Sequence, residues 1–247
     1  MLYKFGLMDP SCNYYCYKNS RKTIKNKTNN IEKIKLVIFD MDGVLADSIS
    51  SWKNIHDYFG TSNEKSVDEY LHGKIDDLEF IKRDVALWKK NGSFTTIDVI
   101  KNILFNIPLM KGAEECISFL RKNKIKTAIV SAGLDILADK VAEDLGIDYV
   151  YANGIKQDKI GNLTGDGILK VQLIYKDKNV KKLSKELGIP LKNCAAIGNS
   201  CFDVPMFETA GLGIAFNPED ECVKKSANII IEGKDLNKVI PALKPYI

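Results

Sequence analysis

Two aspartates separated by one residue, Asp40 and Asp42, end an apolar run and are followed by Gly43 in LVIFDMDGVLADS (36–48). Two carboxylates this close repel each other and are costly to desolvate, so a compensating charge is expected beside them. Hard oxygen ligands suit a divalent cation such as magnesium. Three further polar clusters follow along the chain: Ser131 in IVSAG, Lys176 in IYKDKN, and Asn199 with Asp203 in AAIGNSCFD. Each has a plain alternative. Ser131 alone would cap a helix, Lys176 alone would be a solvated lysine, and Asp203 alone would be the N-cap of a helix starting at 204. Four such signals in order, each after a predicted strand or at a helix start, point to a single site.

The elements that must position these residues alternate. IKLVIF (34–39), KTAIVS (126–131), YVYA (149–152), CAAIG (194–198), GIAF (213–216) and NIII (228–231) read as strands buried on both faces. Between them AEECISFLRKN (113–123), DILADKVAEDLG (135–146), NVKKLSKELG (179–188), VPMFETAG (204–211) and LNKVIPALK (236–244) read as amphipathic helices, several ending at glycine. This alternation predicts an α/β fold, a parallel sheet with helices on both faces. In such sheets sites form beyond the carboxyl ends of the strands, where the polar clusters fall. Residues 48–108 hold no convincing strand and predict a small helical insertion after the first strand. Residues 155–173 carry turn signals and predict a β-hairpin.

The chain has 247 residues, 45% hydrophobic and 28% charged, enough for one large domain or a main domain with an insertion. Residues 1–33 carry seven Lys/Arg against two acids, an excess of five, so the rest sits near −1 within a total of +4. Residues 1–33 therefore read as a basic, flexible leader, and the near-neutral body gives no electrostatic case for nucleic acid. Six cysteines without a CxxC pair read as reduced thiols; Cys12 and Cys16 lack a second pair to complete a zinc site. Neither a signal peptide nor a membrane-length apolar run is legible, so a cytoplasmic protein is expected. Oligomeric state has no signature here.

DMDGVLADS, VSAG, Lys176 and GNSCFD resemble, in order, the four motifs of the haloacid dehalogenase-like phosphatases, over about residues 34–245. VSAGLDI, ANG…LTGD, the 22-residue step from Lys176 to Gly198, and GLGIAF followed by ANIIIEGKDL resemble the phosphoserine phosphatase branch. The resemblance implies a Rossmann-like three-layer α/β/α core of 34–47 and 109–247, with a helical cap at 48–108. It implies a magnesium-dependent hydrolase of a small phosphorylated metabolite, with Asp40 as nucleophile and Asp42 as acid and base. Gly43, Ser131, Ala132 and Lys176 would hold the phosphate. Asp40, the backbone carbonyl of Asp42, Asn199 and Asp203 would serve the metal.

Two departures stand out. The fourth motif usually begins Gly-Asp, and here it reads Gly198-Asn199, one negative charge fewer at the metal. The branch reads the substrate amine with a glutamate nine residues after the nucleophile, where this chain has Ile49. Its carboxylate-binding cap arginine aligns with Asp84, with Lys82 and Arg83 adjacent as candidates under a one-residue shift. The expected function is thus a phosphatase with a different or broader substrate. The competing readings are a phosphotransferase or phosphomutase that passes the phosphoryl group to another acceptor, and a non-catalytic phospho-ligand binding protein.

Overall fold

The computed structural model describes residues 33–90 and 92–247. The expected leader lies outside the described residues except for Lys33, as do Cys12 and Cys16. A seven-stranded sheet runs in the order β6-β5-β4-β1-β7-β8-β9. Its members are β1 (Leu36–Phe39), β4 (Lys126–Leu134), β5 (Tyr149–Gln157), β6 (Leu163–Ile168), β7 (Cys194–Gly198), β8 (Leu212–Phe216) and β9 (Ile229–Ile231). All neighbours pair parallel except β5 with β6.

Strand β1 lies in the middle of the sheet, and its side chains alternate between two cores. Val37 and Phe39 join one apolar cluster with Ile129, Ala195 and Ile197. Leu36 and Ile38 join the other with Ala128, Val130 and Ala196. Both faces of a central parallel strand are covered by helices, so the strand reads as a continuous apolar run. Helices α5 (Ala113–Lys122), α6 (Asp135–Leu145) and α7 (Asp177–Leu187) follow as expected, and α6 and α7 end at Gly146 and Gly188.

Three expectations are corrected. YVYA is a strand but is neither buried on both faces nor complete: Tyr149, Val150 and Tyr151 are half-buried, and β5 continues through Gln157, pairing parallel with β4 at its start and antiparallel with β6 at its end. NIII is not buried on both faces, because β9 is the last strand of the sheet and Ile230 is 48% exposed. Within 48–108, beside α1 (Ser51–Phe59), α2 (Glu64–Leu71), α3 (Asp77–Leu87) and α4 (Ile97–Leu104), a short antiparallel pair forms between β2 (Lys89–Lys90) and β3 (Ser93–Phe94). Two-residue strands are too short to leave a period-2 pattern in the sequence.

The helical segment packs around Trp88, which is fully buried. The Trp88 ring lies 5.5 Å from Trp52 and 5.6 Å from His56. Its indole N–H donates to His56 Nδ1 at 3.3 Å, a nitrogen that also lies 2.8 Å from Thr61 Oγ1, and His56 Nε2 lies 3.4 Å from Asp84 Oδ2.

Candidate active site

The site is assembled where β1, β4 and β7 end. Asp40 directly follows β1, its N–H donating to Ile197 O of β7 at 2.9 Å, so the sheet fixes its backbone. Lys176, the residue before α7, projects its ammonium between two carboxylates: 3.0 Å from Asp40 Oδ1 and 2.7 Å from Asp203 Oδ1. All three side chains are buried. Burial opposes the lysine charge, but Asp203 and Asp40 hold its pKa above the ordinary range.

Asp203 is 0% exposed and spends both oxygens inside the protein. Beyond Lys176, its Oδ2 accepts the N–H groups of Asn199 (3.0 Å) and Ser200 (3.1 Å) and the Ser200 hydroxyl (3.3 Å). Four donors make it an organiser of the lysine and of the loop after β7. Helix α8 (Val204–Thr209) begins at the next residue, yet the Asp203 side chain makes no capping hydrogen bond to it.

Asp42 is held differently. Its two oxygens accept from the N–H and the hydroxyl of Ser51, each at 3.0 Å, and the Ser51 oxygen in turn accepts from Leu134 N–H at 3.0 Å. Ser51 opens α1, where unpaired N–H groups and the helix dipole favour an anion. Burial, with Asp40 adding to it, nevertheless pushes the Asp42 carboxyl up to about 7 against the Ser51 hydrogen bonds. A carboxyl in that range both gives and takes a proton near neutrality.

Ser131 does not end its strand, because β4 continues to Leu134 across a register irregularity that begins after Val130. The serine lies against the Asp40 carboxyl and favours its ionised form. Beside it the Ala132 carbonyl accepts from Trp52 Nε1 (3.0 Å) and Asn153 Nδ2 (3.2 Å). Asn153 also accepts from the N–H groups of Lys170 and Val171 and donates to Val171 O, so it ties the β4 irregularity to the chain approaching Lys176. Gly43 has φ +76°, and a Cβ there would run into the Asn199 amide nitrogen. At Gly133 a Cβ would meet Asp42 Oδ2 at 2.7 Å, so a side chain would displace the carboxylate.

The donor set fits a hard cation. Asp40 Oδ1 is buried without a hydrogen bond of acceptable geometry, although Lys176 lies 3.0 Å away. Burial and Asp203 push the Asp40 carboxyl up, Lys176 opposing. Such a group is relieved by a second positive charge. No group of three or more His, Cys, Asp or Glu side chains among the described residues is arranged to hold a metal, so amide and carbonyl oxygens must complete any set.

The candidates from 48–108 have other neighbours. Ile49 is 74% exposed and lines a surface groove with Asp47, Asp57 and Ile103. Arg83 pairs with Glu79 at 2.8 Å and with Glu69, and Lys82 lies 3.4 Å from Asp166 of β6. Asp84 is buried against His56 and accepts from Asn63 Nδ2 at 2.9 Å. Sequence reasoning did not single out Ser51, Asn153 or Glu219, whose Oε1 accepts from Asn199 Nδ2 at 2.9 Å.

Residues 34–211 match the model of the haloacid dehalogenase-like hydrolase family. The phosphoserine phosphatase of Methanocaldococcus jannaschii is 33% identical over 218 residues, covering 86% of this chain and 99% of its own. That of Wolinella succinogenes is 30% identical over 214 residues, covering 85% of this chain and 100% of its own. A solved substrate-bound phosphoserine phosphatase complex superposes with a TM-score of 0.73 at 31% identity, covering 85% of this chain and 99% of that one. A phospho-aspartyl intermediate analogue of phosphoserine phosphatase gives 0.72 at 32% identity, with the same coverage. No helix among the described residues is long and apolar enough to cross a membrane. The chain belongs to the haloacid dehalogenase-like hydrolases, in their phosphoserine phosphatase-like branch, and is a phosphoric monoester hydrolase.

Proposed function

We propose that the protein hydrolyses small phosphomonoesters in two steps through an aspartyl-phosphate on Asp40. The observation that carries this reading is the pair of unlike aspartates: Asp40 against Lys176 at 3.0 Å, and Asp42 held by Ser51 with a carboxyl near 7. An Asp40 oxygen attacks phosphorus, the ester P–O bond breaks, and Asp42 gives its proton to the leaving alkoxide. Asp42 then takes a proton from water, which attacks phosphorus, releases phosphate and restores the Asp40 carboxylate. Ser131, the N–H of Ala132 and Lys176 hold the phosphoryl oxygens as charge spreads over them, and Gly43 keeps the approach clear.

Asp40, the Asp42 carbonyl and Asn199 would hold magnesium, with Asp203 acting behind them through Lys176 and the 199–200 backbone. Magnesium, when bound, would supply positive charge that offsets the negative charge of the nucleophile and the phosphoryl group. The uncatalysed reaction is slow enough that barrier lowering of up to about 29 kcal/mol is needed. Segment 48–108 acts as the cap that excludes water in the first step, joined to the site through Ser51 and Trp52.

Phosphoserine is the substrate named for the relatives. In this chain Ile49 and Asp84 stand where an amine-binding glutamate and a carboxylate-binding arginine are expected, so recognition of serine is altered and a different or broader set of small phosphorylated metabolites is turned over. Lys82 and Arg83 take part only if their pairs with Asp166, Glu69 and Glu79 part on binding. A cytoplasmic location accords with a soluble metabolite as substrate. The test is phosphate release from a panel of phosphomonoesters, phosphoserine included, with magnesium or with EDTA. Magnesium-dependent release with phosphoserine below other esters is expected; release unaffected by EDTA, or strict preference for phosphoserine, contradicts the corresponding half of the proposal.

A further inference from the structure

Glu219 belongs to none of the four motifs, yet two hydrogen bonds join it to Asn199. Its N–H donates to Asn199 O at 2.8 Å, and its Oε1 accepts from Asn199 Nδ2 at 2.9 Å. The residue is exposed as a whole, but its carboxyl end reaches in to the loop after β7. Asn199 N–H in turn donates to Asp203, so Glu219 stands behind the candidate metal ligands through Asn199.

The chemistry of the pair fixes its orientation. An ionised carboxylate only accepts hydrogen bonds, so the side of the Asn199 amide facing Glu219 must be its NH2 group. The amide oxygen is then turned away from Glu219 and remains available as a ligand. Partners of this kind, which hold a ligand in orientation and add charge behind it, tune metal sites.

We propose that Glu219 offsets the missing aspartate at position 199. It presents the Asn199 oxygen to the cation and returns, one residue further out, the negative charge that an aspartate at 199 would carry. This makes Glu219 a positioning residue, and it rests on the reading of Asn199 as a magnesium ligand.

The test is calorimetric titration of the metal-free full chain with Mg2+, alone and without substrate, in a two-by-two set: wild type, Glu219→Gln, Asn199→Asp and the double variant. Removing an outer partner of a metal ligand costs about 10- to 100-fold in affinity, and a loss in that range is expected for Glu219→Gln. Asn199→Asp should restore most of it in the double variant. In the wild-type background it should gain less, because it sets two carboxylates at hydrogen-bond distance. Glu219→Ala, which removes the acceptor as well as the charge, should lose at least as much as Glu219→Gln. Thermal unfolding of each variant in EDTA keeps folding defects apart from metal affinity. Wild-type affinity in both Glu219 variants overturns the proposal, as does a loss that persists undiminished beside Asn199→Asp. Absence of Mg2+ binding by the folded wild type overturns the metal reading itself, and this inference with it.

Discussion

The floor of the site and the helical segment above it treat charge in opposite ways. On the floor, residues from distant parts of the chain converge on one buried ammonium, with Asp40 and Asp203 at 3.0 and 2.7 Å from Lys176. In 48–108 the charged candidates disperse: Arg83 is taken up by Glu69 and Glu79, Lys82 by Asp166, and Asp84 by a buried contact with His56. Ser51 and Trp52, at the start of α1, reach down to Asp42 and Ala132, and Asp77 accepts from Leu173 N–H on the chain approaching Lys176. The floor is fixed by strand ends that cannot shift without breaking the sheet, and the proposed mechanism places the general phosphoryl chemistry there. The helical segment is packed onto the sheet, with Ile55 and Trp88 in the same apolar cluster as Val37 and Phe39, but its charged candidates Lys82, Arg83 and Asp84 pair away from the floor and can change without removing a residue of it.

The contrast is sharpest in the size of mutational effects. Asp40→Asn removes the nucleophile and should lower phosphate release on the order of 10^4-fold or more, with the protein still folded. Lys176→Ala leaves two buried carboxylates without their cation and should cost about 3–5 kcal/mol of stability, read by denaturant unfolding. If it costs under about 1 kcal/mol, the buried cluster is not the organising element of the floor.

Asp42→Asn should lower turnover about 10^2- to 10^4-fold and change how stability depends on pH. The native Asp42 carboxyl lies near 7 against an ordinary 3.8, so between those values the native state binds more protons than the unfolded one. Stability of the metal-free protein must then fall as pH rises from about 4 to about 7. Asp40, also raised, acts in the same direction. Thermal unfolding in EDTA should show this fall, reduced in Asp42→Asn and reversed by magnesium. At the small end, Arg83→Ala should leave thermal unfolding nearly unchanged, as for an exposed ion pair, and leave KM within about threefold. A larger rise in KM would return Arg83 to the substrate and erase the contrast.

The sequence made the floor legible because its physics is local: an apolar run buried on both faces, then a polar residue where the strand ends. Asp40 needed only that rule, whereas Lys176, at a helix start, and Asp203, beyond the strand end, needed the order of all four clusters. Ser51 carried a weaker signal, a small hydroxyl at a helix start shortly after Asp42. Glu219 carried none, because it meets Asn199 through the parallel pairing of β7 with β8, which brings together residues 20 apart. The β9 strand was misread because three consecutive isoleucines look the same at a sheet edge as at its centre. Asp84 shows the limit of alignment: its position was readable, but its burial against His56 depends on how three helices pack.

The most direct test of the account is whether Asp40 carries the phosphoryl group during turnover. Acid quenching of the working enzyme, followed by peptide mass spectrometry, should place a phosphoryl group on the peptide containing Asp40, absent in Asp40→Asn and in EDTA. Sustained phosphate release by Asp40→Asn, or a phosphoryl group trapped on a different residue, would contradict the central claim.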